Sequence, residues 1–343
     1  MRRCMVKFSE YMNQWLYAND GYYAKHKDIG KEGDFYTAVS SSMFFGGSIA
    51  NKFLTTLQEG FLSENATVVE IGAHKGYLLA DIVQFIYTLK PELLKTLTFV
   101  IVEPFEENQK AQKEYFQESF GDAIKLLHVK SLKEFTCKEA FVVANEIFDA
   151  FICEVVHENK MLYIENHEPK FAEMDLHVER LAKQYGITKG EVGIGYEEFA
   201  NDMYSALERF EFVTFDYGDK ENRGDFSLRI YDNHKVYPFF ALTSFIDEEL
   251  KEDKELKDLF ASSDITYDVN FKHLIGAFEQ SNVKLYAYAS QMKALIDFGL
   301  IDLLEMMQKN TTEENYKSEV DRVKTLIDPA FMGERFKMAC FRK

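Results

Sequence analysis

The chain has no run of about 18 uncharged apolar residues, the length a transmembrane helix needs, so no integral membrane segment is expected. Its start also lacks the apolar core of a signal peptide, because Arg2 and Arg3 are followed by Lys7, Ser9 and Glu10. Cysteine is scarce. Cys4, Cys137, Cys153 and Cys340 form no Cys-x-x-Cys pair and have no histidine at ligand spacing, so neither a disulfide framework nor a metal site is expected, and a reducing, cytoplasmic location fits. Basic residues are outnumbered: 40 Lys and Arg against 57 Asp and Glu leave a formal net charge of -17. Phosphate binding draws on Lys and Arg clusters, so nucleic acid is not expected as a partner, whereas a basic peptide suits the balance better.

What the chain does have is apolar material for a large core. At 343 residues and 46% hydrophobic, it is long enough for one elaborated domain or two. The most informative stretch is 67–89, TVVEIGAHKGYLLADIVQFIYTL. Residues 67–71 are β-branched apart from Glu70, which predicts a strand buried on both faces of a parallel sheet. From Leu78 the period changes. Leu78, Leu79, Ile82, Val83, Ile86 and Leu89 recur at three- and four-residue spacing, the stripe of a helix packed on that sheet. Gly72 and Gly76 lie between, where a sharp turn exposes backbone N–H groups at a helix N-terminus and suits a nucleotide cofactor.

Residues 98–103, TFVIVE, predict a second buried strand that ends on Glu103. In nucleotide-binding α/β folds an acid here accepts hydrogen bonds from the two ribose hydroxyls. It arrives later than the usual spacing of about 20 residues, because 90–97 lengthens the connection. The competing reading is a plain βαβ unit with an incidental acid. A lone glycine turn would favour it, but the turn and the strand-end acid together tip the balance towards a cofactor site.

The rest of the chain fills in around this unit. Met5, Phe8, Met12, Trp15 and Leu16 predict a short amphipathic helix stopped by Asn19-Asp20-Gly21. Residues 21–34 read as a loop, and Ser40 or Ser41 is a candidate cap for a helix carrying Met43, Phe44, Ile49, Phe53 and Leu57. Such a loop either closes over a cofactor or simply crosses the surface. Third and fourth strands are expected at 124–128 and 140–144, then a hairpin at 153–165 turning at 158–160. Residues 173–209 read as mostly helix with a glycine-rich break at 190–195, and a fifth sheet strand follows at 210–216. A short strand at 227–231, a solvated charged helix within 246–260, a helix at 270–280 and strands at 283–289 and 335–341 complete the pattern. The chain divides accordingly: 1–60 holds N-terminal helices and a lid loop, 61–150 the cofactor half of the sheet and 151–209 an insertion. Residues 210–343 hold the C-terminal half, with a helical insertion at about 232–281.

Open parallel sheets bind ligands beyond the carboxyl ends of their strands, so Asn145, Glu146 and Asp149 belong at the mouth of the crevice. The two acids are either helix-start residues favoured by the macrodipole or carboxylates that orient a cationic substrate, and the residues alone weigh these equally. Seven principal strands, the last entering antiparallel beside its predecessor, match a class I (Rossmann-like) methyltransferase sheet. A nicotinamide-binding domain usually lacks that ending.

GDFYTAVSSSMFFG (33–46), VVEIGAHKGYLLADIV (68–83), VEPFEENQ (102–109), ANEIFDAF (144–151), FDYG (215–218), SLRIYDNH (227–234), DITYDVNF (264–271) and MGERFK (332–337) occur in the order of the MidA family. The chain resembles that family over nearly its whole length, and the family is similar to the mitochondrial complex I assembly arginine methyltransferases. The resemblance implies an α/β fold of class I with helical and hairpin insertions, and S-adenosyl-L-methionine as cofactor. It also implies a protein arginine as methyl acceptor, in a subunit of respiratory complex I. The family's glycine turn reads ELGPGRG where this chain has EIGAHKG, so Ala73 and His74 stand for a proline and a glycine. His74 is expected to point away from the sulfonium, into solvent or the lid. On this basis the cofactor contacts fall to Thr37, Gly72, His74, Gly76, Glu103 and Asn145. The acceptor arginine falls to Glu146 and Asp149, with Asp34 of the lid loop as a third carboxylate, because carboxylates that accept N–H groups in a fork fix a planar guanidinium. Two other readings stay open: a nicotinamide-dependent oxidoreductase, and a non-catalytic assembly factor that keeps the fold.

Overall fold

In a computed structural model of the chain, residues 5–25, 37–243, 245, 252 and 254–343 are described. The chain divides into two compact units, each gathered from three stretches.

The larger unit takes Thr37–Ile147, Glu198–Asp216 and Phe278–Lys343. It is built on strands β1 (Thr67–Ile71), β2 (Thr98–Val102), β3 (Leu126–Val129), β4 (Cys137–Asn145), β5 (Leu207–Asp219), β6 (Lys284–Ser290) and β7 (Phe336–Arg342). Their spatial order is β3-β2-β1-β4-β5-β7-β6. The pairs β1–β2, β1–β4, β2–β3 and β4–β5 are parallel, with Val69 opposite Val100 on one side and Val142 on the other. All five residues of β1 are buried, and β4 is buried from Ala140 to Ala144, which is what an apolar run flanked by strands and covered on both faces requires. β7 enters antiparallel to β6, with Ala289 opposite Met338 and Lys284 opposite Arg342. The antiparallel ending expected from the sequence is therefore present.

Parallel strands need crossovers, and helices supply them. Tyr77–Leu89 links β1 to β2 and buries Leu78, Leu79, Ile82, Val83 and Ile86, as its period predicts. Glu106–Phe120 links β2 to β3. The helix Phe44–Gln58 lies against Tyr77–Leu89 at Gly46 and Gly47, where an added Cβ would come within 2.5 Å of Asp81 Cβ and 2.6 Å of the Phe85 ring. Only glycine allows that approach. The helix start differs from the expected serine cap. Thr37 caps a separate four-residue helix, Ala38–Ser41, and the long helix begins after Ser42, whose Oγ accepts from Phe44 N–H at 3.1 Å.

The smaller unit takes Met1–Tyr36, Phe148–Glu197 and Tyr217–Ala277. Its helix Phe8–Tyr17 buries Phe8, Met12, Trp15 and Leu16, as expected, whereas Met5, expected in the same stripe, precedes the helix and is exposed. The strands Cys153–His157 and Lys160–Glu165 form the expected hairpin, with His157 opposite Lys160. The glycine-rich break expected at 190–195 is instead a strand, Lys189–Gly193, paired antiparallel with Cys153–His157. Its partner lies more than thirty residues upstream, so helical periodicity on either side cannot reveal it. Arg229–Asp232, Lys235–Pro238 and Asp264–Thr266 form a second small sheet. Beyond the seven strands expected in the large sheet, a two-residue strand, Val269–Asn270, pairs with Gly218 and Asp219 at the end of β5. Residues 246–251 and 253 of the charged stretch 246–260 lie outside the described residues; its end, Leu256–Leu259, is helical with both leucines buried. Among the described residues no helix is long and apolar enough to cross a membrane.

Candidate functional site

The turn after β1 places three residues of five in the left-handed region: Gly72 at φ 74°, His74 at φ 45° and Gly76 at φ 81°. Gly72 is exposed, and an added Cβ would meet Ile147 Cγ2 at 2.7 Å, so the backbone there lies against the segment that follows β4. Gly76 caps the helix Tyr77–Leu89 and donates its N–H to Ala73 O at 2.7 Å. His74 is half-buried, and its carbonyl accepts from Gln112 Nε2 at 2.7 Å.

Glu70 reaches forward from β1 and accepts the Leu79 N–H at 3.1 Å, tying strand to helix across the turn. Burial pushes its carboxyl up to about 8, with Asp81 adding to the rise. Burial likewise pushes Asp81 up to about 7, with Glu319 contributing. Neither acid was among the expected site residues. For Glu70 the signal is a lone carboxylate inside an otherwise β-branched strand.

Glu103 follows β2 directly and is 4% exposed. Its Oε1 accepts from Phe105 N at 2.9 Å and its Oε2 from Gln112 Nε2 at 3.4 Å. Its own N–H donates to Val129 O at 2.9 Å, which continues the β2–β3 pairing to the last residue. Gln112 thus touches both the glycine turn and the strand-end acid, and no local sequence pattern marks it.

Asn145 ends β4, and Glu146 follows with φ 53°, a left-handed conformation rare for a side-chain-bearing residue. Glu146 N–H donates to Phe215 O at 2.8 Å, which fixes the turn against β5. The Glu146 carboxylate Oε1 accepts from Asn145 Nδ2 at 2.8 Å and from Ala38 N at 3.3 Å. Thr37 caps the same short helix: its Oγ1 accepts from Ser40 N at 3.2 Å, and Ser40 Oγ accepts from Thr37 N at 3.0 Å. Thr37, Asn145 and Glu146 are therefore brought together at one helix start. Asn145 Oδ1 is buried without a partner among the described residues, a position that suits a hydrogen-bond donor of a ligand.

Asp149 falls in the smaller unit and is 5% exposed. Its Oδ2 accepts from the Tyr217 hydroxyl, which also lies 2.6 Å from Thr266 Oγ1. The Arg229 guanidinium sits 4.4 Å over the Tyr217 ring and donates to Asp268 Oδ1 at 2.6 Å. Burial pushes the Asp149 carboxyl up to about 6, against the opposing pull of Tyr217 and Arg229. Asp34, expected as the third carboxylate, lies outside the described residues.

A parallel sheet ordered 3-2-1-4-5 with an antiparallel ending, a glycine turn after β1 and an acid after β2 defines the methyltransferase fold. The comparisons carry this to a family. A model described as an S-adenosyl-L-methionine-dependent methyltransferase matches residues 48–289, and the chain belongs to that family. It is an S-adenosyl-L-methionine-dependent methyltransferase, as the resemblance to the MidA family implies, and the nicotinamide reading falls. The mitochondrial protein arginine methyltransferase NDUFAF7 of Danio rerio is 21% identical over 368 residues, covering 97% of this chain and 82% of the relative. The rat protein of the same name is 27% identical over 164 residues, covering 42% of this chain and 37% of the relative. Two crystal structures of Burkholderia thailandensis proteins share the fold. One, bound to S-adenosyl-homocysteine, is 24% identical with a TM-score of 0.79 and covers 99% of this chain and 88% of its own. The other is 23% identical with a TM-score of 0.78, covering 99% and 87%.

Proposed function

We propose that the chain transfers a methyl group from S-adenosyl-L-methionine to the guanidinium of a protein arginine, in a subunit of respiratory complex I. The observation that carries the reading is the Glu146 carboxylate, half-buried after β4 with Oε1 fixed by Asn145 and by Ala38 N–H. When bound, the cofactor supplies a methyl group already activated by a sulfonium. The chain's own task is then to hold the nucleophile in line and to exclude water. A guanidinium is planar and permanently charged, so a carboxylate held in one orientation can select which nitrogen faces the methyl. The main grip is assigned to Glu146, which is half-buried, whereas Asp149 is 5% exposed and accepts from Tyr217. Thr37, Gly72, His74, Gly76, Glu103 and Asn145 are proposed to hold the cofactor, with Glu103 on the ribose. The acceptor class is supported by the name of the Danio rerio relative and by the net charge of -17, which favours a basic segment. The complex I target rests on the MidA resemblance. Free thiols at Cys137, Cys153 and Cys340 suit a reducing compartment such as the cytoplasm.

The test is Glu146→Gln. The amide keeps an oxygen for Asn145 and Ala38 but loses the charge. A charged hydrogen bond contributes roughly 1.5–3 kcal/mol, so methyl transfer to an arginine peptide should fall about 10- to 100-fold with S-adenosylhomocysteine affinity nearly unchanged. Normal transfer, or loss of cofactor binding alone, refutes the assignment. A wild-type chain that binds S-adenosylhomocysteine and never methylates arginine refutes the arginine acceptor instead.

A further inference from the structure

Of the fifteen residues in the helix Glu106–Phe120, Gln112 and Phe116 are the buried ones. Phe116 is what a helix lying on a sheet is expected to bury. Gln112 is not: it is fully buried, and a buried amide is costly unless its donors and acceptor are matched. Three of its bonds are made inside the larger unit. Nε2 donates to the His74 carbonyl at 2.7 Å and to Glu103 Oε2 at 3.4 Å, and Oε1 lies 2.9 Å from His128 Nε2. These partners settle the amide's orientation, since the reverse would set its oxygen against a carbonyl and a carboxylate. They settle His128 as well, which must carry its proton on Nε2 to donate. Burial and nearby Lys113 lower the His128 pKa to about 4, so the ring is neutral, and its Nδ1 has no partner among the described residues.

Gln112 is therefore a single side chain joined to three elements. It meets the glycine turn after β1, the acid after β2 and, through His128, strand β3. We infer that Gln112 is a positioning residue for the cofactor: its amide holds the Glu103 carboxylate and the His74 carbonyl in register, so that the ribose acid is set before the cofactor arrives. The inference rests on the reading that Glu103 takes the ribose. Without the amide, Glu103 Oε2 loses a buried donor and its side chain regains rotamer freedom. The effect should fall on ribose recognition rather than on the whole cofactor equally.

The experiment measures, by calorimetry on the full chain, the affinities of S-adenosylhomocysteine and of its 2′,3′-dideoxyribose analogue for wild type, Gln112→Met and Glu103→Ala. Wild type should prefer the ribose form, and Glu103→Ala should abolish most of that preference. Gln112→Met keeps the volume and loses the three bonds. It should weaken S-adenosylhomocysteine about tenfold, leave the dideoxy analogue within about twofold, and so shrink the preference in the same direction. Equal weakening of both ligands, or no change in either, overturns the inference. If Glu103→Ala leaves the preference intact, the ribose reading fails instead, so the two failures are separable. Should Gln112→Met not fold, Gln112→Glu replaces it, since it keeps an oxygen for His128 and sets a second carboxylate beside Glu103. With His74, Lys113 and His128 as the other titratable neighbours, its S-adenosylhomocysteine affinity should recover as pH falls, whereas a flat profile overturns the inference.

Discussion

Gly72→Ala tests the turn most directly, because two independent costs can be worked from its geometry. At φ 74° the residue is left-handed, a conformation that costs a residue with a side chain roughly 1–2 kcal/mol. The new methyl would stand 2.7 Å from Ile147 Cγ2, inside contact distance, and relieving such overpacking costs about 1–3 kcal/mol. The sum is about 2–5 kcal/mol, a fall in Tm on the order of 5–15 °C for a unit of this size. The second cost vanishes when Ile147 is cut back. In an Ile147→Ala background, Gly72→Ala should therefore cost only about 1–2 kcal/mol, a positive coupling readable by urea denaturation of the four proteins. Identical costs in both backgrounds would show that the Ile147 contact does not shape the turn. A cost under about 0.5 kcal/mol in the parent would refute the left-handed conformation itself.

Two further expectations concern buried acids. Glu70 titrates near 8 when folded and near 4.5 when unfolded, so the folded form holds its proton more tightly, and stability falls as pH rises through that window. Glu70→Gln keeps an acceptor for Leu79 N–H and lacks the titration. It should gain on wild type by a few kcal/mol between pH 5 and pH 8.5 in urea denaturation, and a pH-independent difference would contradict the assignment. Tyr217→Phe removes the hydroxyl that holds the Asp149 carboxylate down, so the folded pKa should climb above about 6. The carboxyl is protonated in the fold at pH 4 and asked to ionise at pH 8, so the loss of Tm should be larger at pH 8. A loss equal at both would show that Asp149 does not feel Tyr217.

The sequence by itself determined the sheet. Apolar runs at 67–71 and 140–144 can only be satisfied between neighbours on both faces, and the change of period at Leu78 marks the crossover helix, so β1, its turn and the helix after it were legible from local pattern. The glycines were legible too, because Gly72 and Gly76 occupy backbone conformations that other residues avoid. So were the positions of Glu103, Asn145 and Glu146 at strand ends, since the carboxyl end of a strand is a place along the chain. Tertiary structure alone decided what those side chains do once placed. That Glu146 meets Ala38, that Asp149 meets Tyr217, and that Gln112 meets His74 all depend on segments 38 to 108 residues apart. No periodicity in the intervening chain encodes such a distance. The same limit hid the strand Lys189–Gly193 and the separate helix Ala38–Ser41. A strand is stabilised by a partner it must find, and a four-residue helix by the groups that cap it. Which stretches gather into which unit is likewise fixed by packing, because burial is a property of what surrounds a residue and not of the residue alone.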